Sequence, residues 1–260
     1  MALTSPLPLL CLAALGAGLV DSMVGGGSLI QLPALLLLLP KVPVPTLLGT
    51  GKVASLAGTA VSAARYLRGL RGVPIRWRTV AVTAVVAGCF ALLGARAVSG
   101  LSKELVKPLV LALLVLMAAY TFWRKDFGSL HAPCLRGRAE LLAGTALGAS
   151  LGFYDGFFGP GSGSLLLFAF VGLFGYDFVA ASASAKIVNV ATNVAGLSYF
   201  VATRQVLPEI ALPMAACNAL GSGLGTQLAL RYGTGFVRVL FLGVVSVFIC
   251  KLGWEVWWAA

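Results

Sequence analysis

The chain has 260 residues, of which 59% are hydrophobic and only 10% are charged, and its formal net charge at pH 7 is +11. Soluble domains carry about 25% charged residues, so this composition excludes an ordinary soluble domain and predicts a protein that lies in lipid. The apolar runs are continuous and do not alternate with polar residues, which excludes a transmembrane β-barrel.

Apolar segments separated by short polar connections follow one another along the whole chain. The first and the fifth segments are each interrupted by a glycine-rich run, and their pieces are shorter than the ~20 residues that one membrane span needs. We predict the segments at 6–20 with 29–39, 44–67, 77–99, 105–123, 139–152 with 164–175, 178–203, 208–230 and 236–258. The predicted fold is therefore an all-α polytopic membrane protein.

One pattern occurs twice in this series. Asp21 is followed by a glycine run and, 31 residues later, by Lys52. Asp155 is followed by a second such run and, at the same spacing, by Lys186. The two copies lie 134 residues apart, and this constant offset indicates an internal duplication.

The duplication predicts two four-segment transmembrane repeats, at residues 1–130 and 131–260. In each repeat the glycine-broken segment is either a helix that crosses the membrane, which makes the repeats parallel, or a re-entrant helical hairpin, which makes them inverted. The count of basic residues does not separate these cases. We favour inverted repeats because interrupted helices meet near the midplane of many inverted-repeat transporters. In both cases the arginine-rich loops at 65–78 and 124–138 face the cytoplasm by the positive-inside rule.

The two glycine runs are the first candidates for a binding site. Glycine and proline weaken a helix, so each run is predicted to leave the N-terminus of a new helix inside the membrane, where free N–H groups attract an anion. Serine hydroxyls in the same runs add donors or cap the helix. The candidate substrate-binding residues of the runs are Gly25, Gly26, Gly27, Ser28, Gly159, Gly161, Ser162, Gly163 and Ser164.

Polar side chains inside the apolar segments are the second candidates. A lysine as deep in a segment as Lys52 or Lys186 must pair with an anion, reach the interface or face a polar cavity. Asn189 and Asn193 follow Lys186 at i+3 and i+7, on the same helical face. We predict that these four residues bind the substrate, and interhelical hydrogen bonding is the alternative for the two asparagines.

Two aspartates, Asp21 and Asp155, come just before the glycine runs. They can pair with the lysines, bind an ion or a proton that is coupled to transport, or cap the broken backbone. The sequence does not choose between these roles.

The repeated motif is similar to that of a known family. The stretch from Asp21 to Pro33, with its glycine run, resembles the TauE/SafE family of sulfite and organosulfur-anion exporters. The stretch from Gly152 to Ser164, followed by Ala185-Lys186 and Asn189, resembles it more specifically. The resemblance covers nearly the entire chain and implies an inner-membrane permease for sulfite, for sulfonates such as sulfoacetate, or for related small anions.

We therefore expect a secondary active transporter, by its resemblance an exporter, that alternates access around a site between the two glycine breaks. The chain has no ATP-binding loop of the form GxxxxGK[ST], so an ion or proton gradient must drive uphill movement. The alternative is an anion channel for small oxyanions, in which the same residues line a pore.

Other functions and partners are not expected. Gly161-Ser162-Gly163 is similar to a nucleophile motif, but the one histidine, His131, lies outside the apolar segments, and a nucleophile needs its base within reach. The five cysteines lack metal-ligand spacing, so we expect no metal. We also expect no cofactor and no enzymatic activity. The basic residues gather at the ends of segments, which argues against nucleic-acid binding. The expected partners are a small anionic substrate and the lipid bilayer, and a homodimer is left open.

Overall fold

The computed structural model describes residues 6–69, 75–98 and 135–258, with side chains of the last helix described up to Tyr232 and at Ser246. All regular elements in these ranges are helical. They are α1 Leu7–Val24, α2 Ser28–Leu38, α3 Val44–Gly69, α4 Trp77–Ala97, α5 Gly137–Phe157, α6 Ser162–Gly172, α7 Phe178–Ala202 and α8 Pro208–Trp258. The predicted segment at 105–123, most of the loop at 124–138 and the predicted repeat boundary lie outside the described residues.

The all-α prediction is confirmed, but one predicted connection is wrong. The segments expected at 208–230 and 236–258 form a single continuous helix, α8, of 51 residues. The glycines between them, Gly233 and Gly235, each lower helix propensity by about 1 kcal/mol but keep their N–H donors, so they do not end a helix as proline does.

Three helices among the described residues are long and apolar enough to cross a membrane by length and composition, namely α1, α4 and α7. The helices that follow the glycine runs, α2 and α6, have 11 residues each. At 1.5 Å per residue each is about 16 Å long, roughly half the ~30 Å hydrocarbon core. These two short helices therefore begin or end at membrane depth.

Small residues let helices from the N-terminal part (residues 6–98) and the C-terminal part (residues 135–258) approach closely. On α5, a Cβ built on Gly148 would lie 2.6 Å from the Thr83 carbonyl oxygen of α4, and one built on Gly152 would overlap Ala87. The contacting residue numbers rise in the same order on both helices, from Gly148 to Gly152 on α5 and from Thr83 to Ala87 on α4, so these helices run parallel. The spacing of four residues explains the contact, because small residues one turn apart line one helix face.

The same arrangement joins α1 to α8. A Cβ built on Gly221 of α8 would overlap the carbonyl oxygen of Leu15 on α1, and one built on Gly225 would overlap that of Leu19. Here too the contacting residue numbers rise in the same order on both helices, so α1 and α8 run parallel. The first helix of each part thus packs along a long helix of the other part.

The two lysine-bearing helices, α3 and α7, cross in opposite directions at the centre of the described fold. Gly49 of α3 lies against Phe200 of α7, whereas Tyr66 makes an edge contact with Phe178, with ring centroids 6.5 Å apart. The contacting residue number on α7 decreases as that on α3 increases, so the two helices are antiparallel. Tyr66 and Phe200 are fully buried, and they mark the two ends of this central crossing.

Candidate functional site

The first glycine run reverses the direction of the chain. Gly25 ends α1 in the left-handed conformation with φ +85°, and its N–H donates to the Asp21 carbonyl oxygen at 2.7 Å. Gly27 then lies against the Cβ of Asp21 and the carbonyl oxygen of Ala17, so the chain turns back along α1. This reversal has the form of a helical hairpin.

The second glycine run ends α5 and starts α6. Gly159 and Gly161 have φ of +91° and +82°, and the Tyr154 hydroxyl donates to the Pro160 carbonyl oxygen. The new helix begins at Ser162, two residues before the segment predicted at 164–175. An early start is feasible because the first N–H groups of a helix have no partner within that helix, so glycine and serine are tolerated there.

The two breaks contact each other. The backbone N–H of Ser164 donates to the Gly25 carbonyl oxygen at 3.1 Å, and the Ser28 hydroxyl donates to the Gly159 carbonyl oxygen at 3.4 Å. A Cβ on Gly163 would lie only 2.5 Å from the Gly25 oxygen, so this approach requires glycine. The two halves of the duplicated motif therefore form one site.

Each lysine forms an ion pair with the aspartate of the other part. Lys52 Nζ lies 3.0 Å from Asp155 Oδ2, and Lys186 Nζ lies 2.6 Å from Asp21 Oδ2. The side chains of Lys52, Asp155 and Lys186 are 9%, 6% and 3% exposed, and that of Asp21 is 17% exposed. Of the roles considered for the aspartates, pairing with the lysines is present in the structure.

The second oxygen of each carboxylate accepts a hydrogen bond near the start of the following short helix. Asp155 Oδ1 accepts from the Ser162 hydroxyl, and Asp21 Oδ1 accepts from the Gly27 N–H at 3.3 Å. Each carboxylate is thus held between a lysine of the other part and a donor of its own glycine run. The protein's own carboxylates occupy the positions at which the sequence predicts a substrate anion.

A cavity of about 50 Å³ lies where the breaks and the Lys52–Asp155 pair meet. A buried water needs about 10–15 Å³ on the same measure, so the cavity has room for only a few water-sized groups. The predicted site residues that line it are Asp21, Gly25, Ser28, Lys52, Asp155, Gly159, Ser162, Gly163, Asn189 and Asn193.

The remaining predicted site residues surround the cavity without lining it. Lys186 does not line it, and its Nζ donates to both the carbonyl oxygen and the carboxylate of Asp21. Gly26 and Gly161 accept helix-starting hydrogen bonds through their carbonyl oxygens, and Gly27 is packed against α1. The Ser164 hydroxyl is buried without a hydrogen-bond partner among the described residues.

The asparagines of α7 face the same cavity. Asn193 Oδ1 accepts a hydrogen bond from Lys52 Nζ at 3.4 Å. Asn189 Oδ1 is buried and has no hydrogen-bond partner among the described residues. A buried amide oxygen without a partner is costly, so this atom is available to a bound donor or water.

Sequence reasoning missed Gln31, which lines the cavity on α2. Its Nε2 donates to the Gly51 carbonyl oxygen at 2.8 Å, and its Oε1 accepts from Asn218 Nδ2 at 3.0 Å. Gln31 thereby links α2 to α3 and α8. The available signal was a single amide in an otherwise apolar helix, since a polar side chain inside the membrane usually marks a partner or a site.

The cavity is not symmetric between the two parts. It is lined by Leu47 and Leu48 at the start of α3, whereas the positions 134 residues later, Ala181 and Ser182 on α7, are buried and do not line it. Along α3 it also reaches Thr59, so it extends to both sides of the ion pair.

A buried polar cluster joins the first turns of α4 and α5. Glu140, at the start of α5, is 5% exposed and accepts hydrogen bonds from Arg76 and from the Thr79 hydroxyl, the latter at 2.8 Å. In the connection between α6 and α7, burial together with the Glu140 carboxylate raises the pKa of Tyr176 to about 12. The tyrosine therefore stays protonated at neutral pH. The contacts of Glu140 with Arg76 and Thr79 tie α4 to α5.

Comparison with known proteins places the chain in one family. The chain matches the family described as Sulfite exporter TauE/SafE over residues 10–252. It is 30% identical over 242 residues to a "Probable membrane transporter protein" of Haemophilus influenzae, covering 93% of this chain and 92% of that protein. It is 29% identical over 252 residues to the "Probable membrane transporter protein YfcA" of Escherichia coli K12, covering 96% and 91%. No solved structure matches it significantly. The chain belongs to the TauE/SafE sulfite exporter family and is a membrane transporter.

Proposed function

We propose that this transporter is a secondary active carrier that exports small sulfur-containing anions such as sulfite or an organosulfonate, for example sulfoacetate. The observation that carries the proposal is the small cavity at the meeting point of the two glycine breaks, lined by the buried lysine Lys52. An ammonium group with amide and hydroxyl neighbours suits an oxyanion, and the few water-sized positions suit a small one. The description of the family supports a sulfur oxyanion.

The carrier is built from two inverted repeats, residues 1–130 and 131–260, and alternates access around the site. The antiparallel crossing of α3 and α7 supports inversion, because these helices occupy equivalent places in the two copies of the motif. The exchange of helix contacts and of ion pairs between the N-terminal and C-terminal parts supports it as well. Rocking of one inverted repeat against the other around a midplane site is a known basis for alternating access.

A carrier accounts for the cavity better than a channel or an enzyme does. A channel needs a continuous path, whereas here the two breaks are in hydrogen-bonded contact at the bottom of a small cavity. An enzyme with a serine nucleophile needs a base, but the Ser162 hydroxyl donates to a lysine-paired carboxylate.

The protein lies in the inner membrane with the arginine-rich loops at 65–78 and 124–138 in the cytoplasm. The positive-inside rule supports this orientation.

Substitution of the two lysines tests the site. Lys52→Ala removes a charge-assisted hydrogen bond worth about 1.5–3 kcal/mol, so we expect sulfite affinity to fall about 10- to 150-fold. Lys186→Ala should act more weakly on affinity, because Lys186 does not line the cavity. Both variants should still insert into membranes. Lys41→Ala, at an exposed lysine between α2 and α3, is the matched control.

The measurements are sulfite binding to purified protein and sulfite counterflow in proteoliposomes. Counterflow requires a carrier that exchanges one bound anion for another, whereas a channel gives a flux that follows voltage alone. Full sulfite and sulfonate transport by the Lys52→Ala/Lys186→Ala double variant would contradict the assignment of the site.

A further inference from the structure

The charged groups of the site cancel one another. Lys52 and Lys186 contribute two positive charges, Asp21 and Asp155 contribute two negative charges, and each lysine has its own aspartate. The empty site is therefore electrically neutral. A monovalent anion that enters it leaves one uncompensated negative charge at membrane depth, and such a charge is costly unless it is neutralised.

The Lys52 ammonium is already in use when an anion arrives. Two of its three donors are directed to Asp155 Oδ2 and Asn193 Oδ1. An anion either displaces the carboxylate or shares the ammonium with it. In both cases two negative groups lie within a few ångströms of one positive group, and like charges so close favour the protonated form of a carboxylic acid.

From this charge balance we infer that Asp155 is the proton-coupling group and that each monovalent anion bound at Lys52 is carried together with one proton. The inference rests on the proposed function, since it concerns the same cavity. The proton is taken up from the aqueous solution on the side from which the anion enters, as hydronium that leaves a water molecule behind, and it forms an O–H bond with Asp155 Oδ2, the oxygen that the Lys52 ammonium releases. Lys52 remains an ammonium, Ser162 still donates to Asp155 Oδ1, and release of the anion reverses the step.

The surroundings of Asp155 contain one direct counter-charge. Lys52 faces it from α3, Ser162 from α6 and Asn193 from α7, and Asp21 lines the same cavity. On α4, small residues pack against this stretch of α5, and the nearby Arg96 is exposed at the surface. Tyr154 precedes it on α5, and the other lysine is paired with Asp21. When the anion engages Lys52, no second cation among these groups is free to neutralise Asp155.

Asp21 does not have the same role, although it is the equivalent residue in the other copy of the motif. Its partner Lys186 does not line the cavity, is only 3% exposed and is also held by the Asp21 carbonyl oxygen. The separation of this pair is 2.6 Å, compared with 3.0 Å for Lys52–Asp155. Asp21 itself lines the cavity but its lysine does not, so an anion in the cavity competes for the ammonium of Lys52 and not for that of Lys186.

One proton per monovalent anion makes transport electroneutral. The flux then responds to the pH difference across the membrane and not to the voltage, and a gradient of one pH unit sustains an anion gradient of about tenfold toward the alkaline side. Export takes place when the outward anion gradient exceeds the opposing proton gradient.

The test uses purified full-length protein in proteoliposomes with a pH-sensitive dye inside. Sulfite counterflow first establishes transport. Methanesulfonate, which stays fully ionised near neutral pH and so carries no proton itself, then serves as the probe for coupling. We expect methanesulfonate influx to acidify the lumen, and an imposed gradient of one pH unit to drive about tenfold accumulation with the voltage clamped at zero.

Three variants assign the proton to its residue. Asp155→Asn fixes a neutral side chain, so its accumulation should fall from about tenfold to about onefold, and its counterflow should lose pH dependence. Asp155→Glu, which still titrates, should restore both responses. Glu209→Gln, at an exposed carboxylate at the start of α8, is the matched control and should keep the pH dependence.

The outcomes separate the coupling from the proposed function. Wild-type counterflow without lumenal acidification, driven by voltage, would overturn proton coupling and leave anion transport standing. Absence of both sulfite and methanesulfonate exchange would overturn the proposed function itself. Methanesulfonate accumulation by Asp155→Asn that still depends on pH would overturn the assignment to Asp155. If that variant does not fold, the acidification measured with the wild-type protein still decides whether a proton moves with the anion.

Discussion

Removal of one partner of the Lys52–Asp155 pair should destabilise the protein more than removal of both. At a separation of 3.0 Å and an effective dielectric constant of about 20, the Coulomb attraction of the pair is about 5–6 kcal/mol. Desolvation of the two charges offsets much of this attraction. The single variant Lys52→Met leaves Asp155 as an unpaired buried carboxylate, which typically costs about 3–5 kcal/mol.

The double variant Lys52→Met/Asp155→Asn removes both buried charges at once. It should be only about 1–2 kcal/mol less stable than the wild-type protein, because replacement of a whole buried pair by neutral groups is often close to neutral. The assay is reversible unfolding of the purified protein in mixed micelles, read as a double-mutant cycle. The exposed Lys41→Met should stay within about 0.5 kcal/mol and serves as the control. Additive effects of the two single variants would refute the energetic coupling of the pair.

Two further predictions concern the packing and the buried polar cluster. A methyl group on Gly18 would overlap the Asn218 carbonyl oxygen, so Gly18→Ala should cost about 1–3 kcal/mol, whereas Gly16→Ala on the same helix meets nothing within 4 Å and should be neutral or up to about 1 kcal/mol stabilising. Glu140→Ala leaves Arg76 without its carboxylate and should cost about 1.5–3 kcal/mol. Thermal unfolding in detergent measures both, and equal stabilities of the two glycine variants would contradict the helix contact.

The sequence was sufficient to locate the breaks and the depth of the charges. Runs that contain Gly25 or Gly159 cannot continue a helix once the chain needs a positive φ, so the interruptions follow from local chemistry. Lysines inside apolar segments had to pair, reach the interface or face a polar cavity, and the carboxylates repeated in register were one candidate for a partner. These features depend on residue type and spacing, which a sequence shows directly.

The choice of partner was not accessible in the same way. Lys52 is 103 residues from Asp155, and Lys186 is 165 residues from Asp21. Which lysine meets which aspartate depends on the antiparallel crossing of α3 and α7, and helical periodicity carries no information on such a crossing. The two copies also differ at one position: Gln31 has Leu165 as its counterpart, so at this position only the first copy adds an amide to the cavity.

The exchanged ion pairs give the duplicated motif a property that a single copy cannot have. Lys52 on α3 holds the glycine break of the C-terminal part, and Lys186 on α7 holds that of the N-terminal part. Any movement of one part against the other must therefore lengthen a pair or turn about it. Lys52 and Asp155 both line the cavity, whereas of the other pair only Asp21 does. An anion that enters the cavity therefore competes for the ammonium of Lys52 and not for that of Lys186, so the two exchanged pairs are unequal although both copies of the motif reach the cavity.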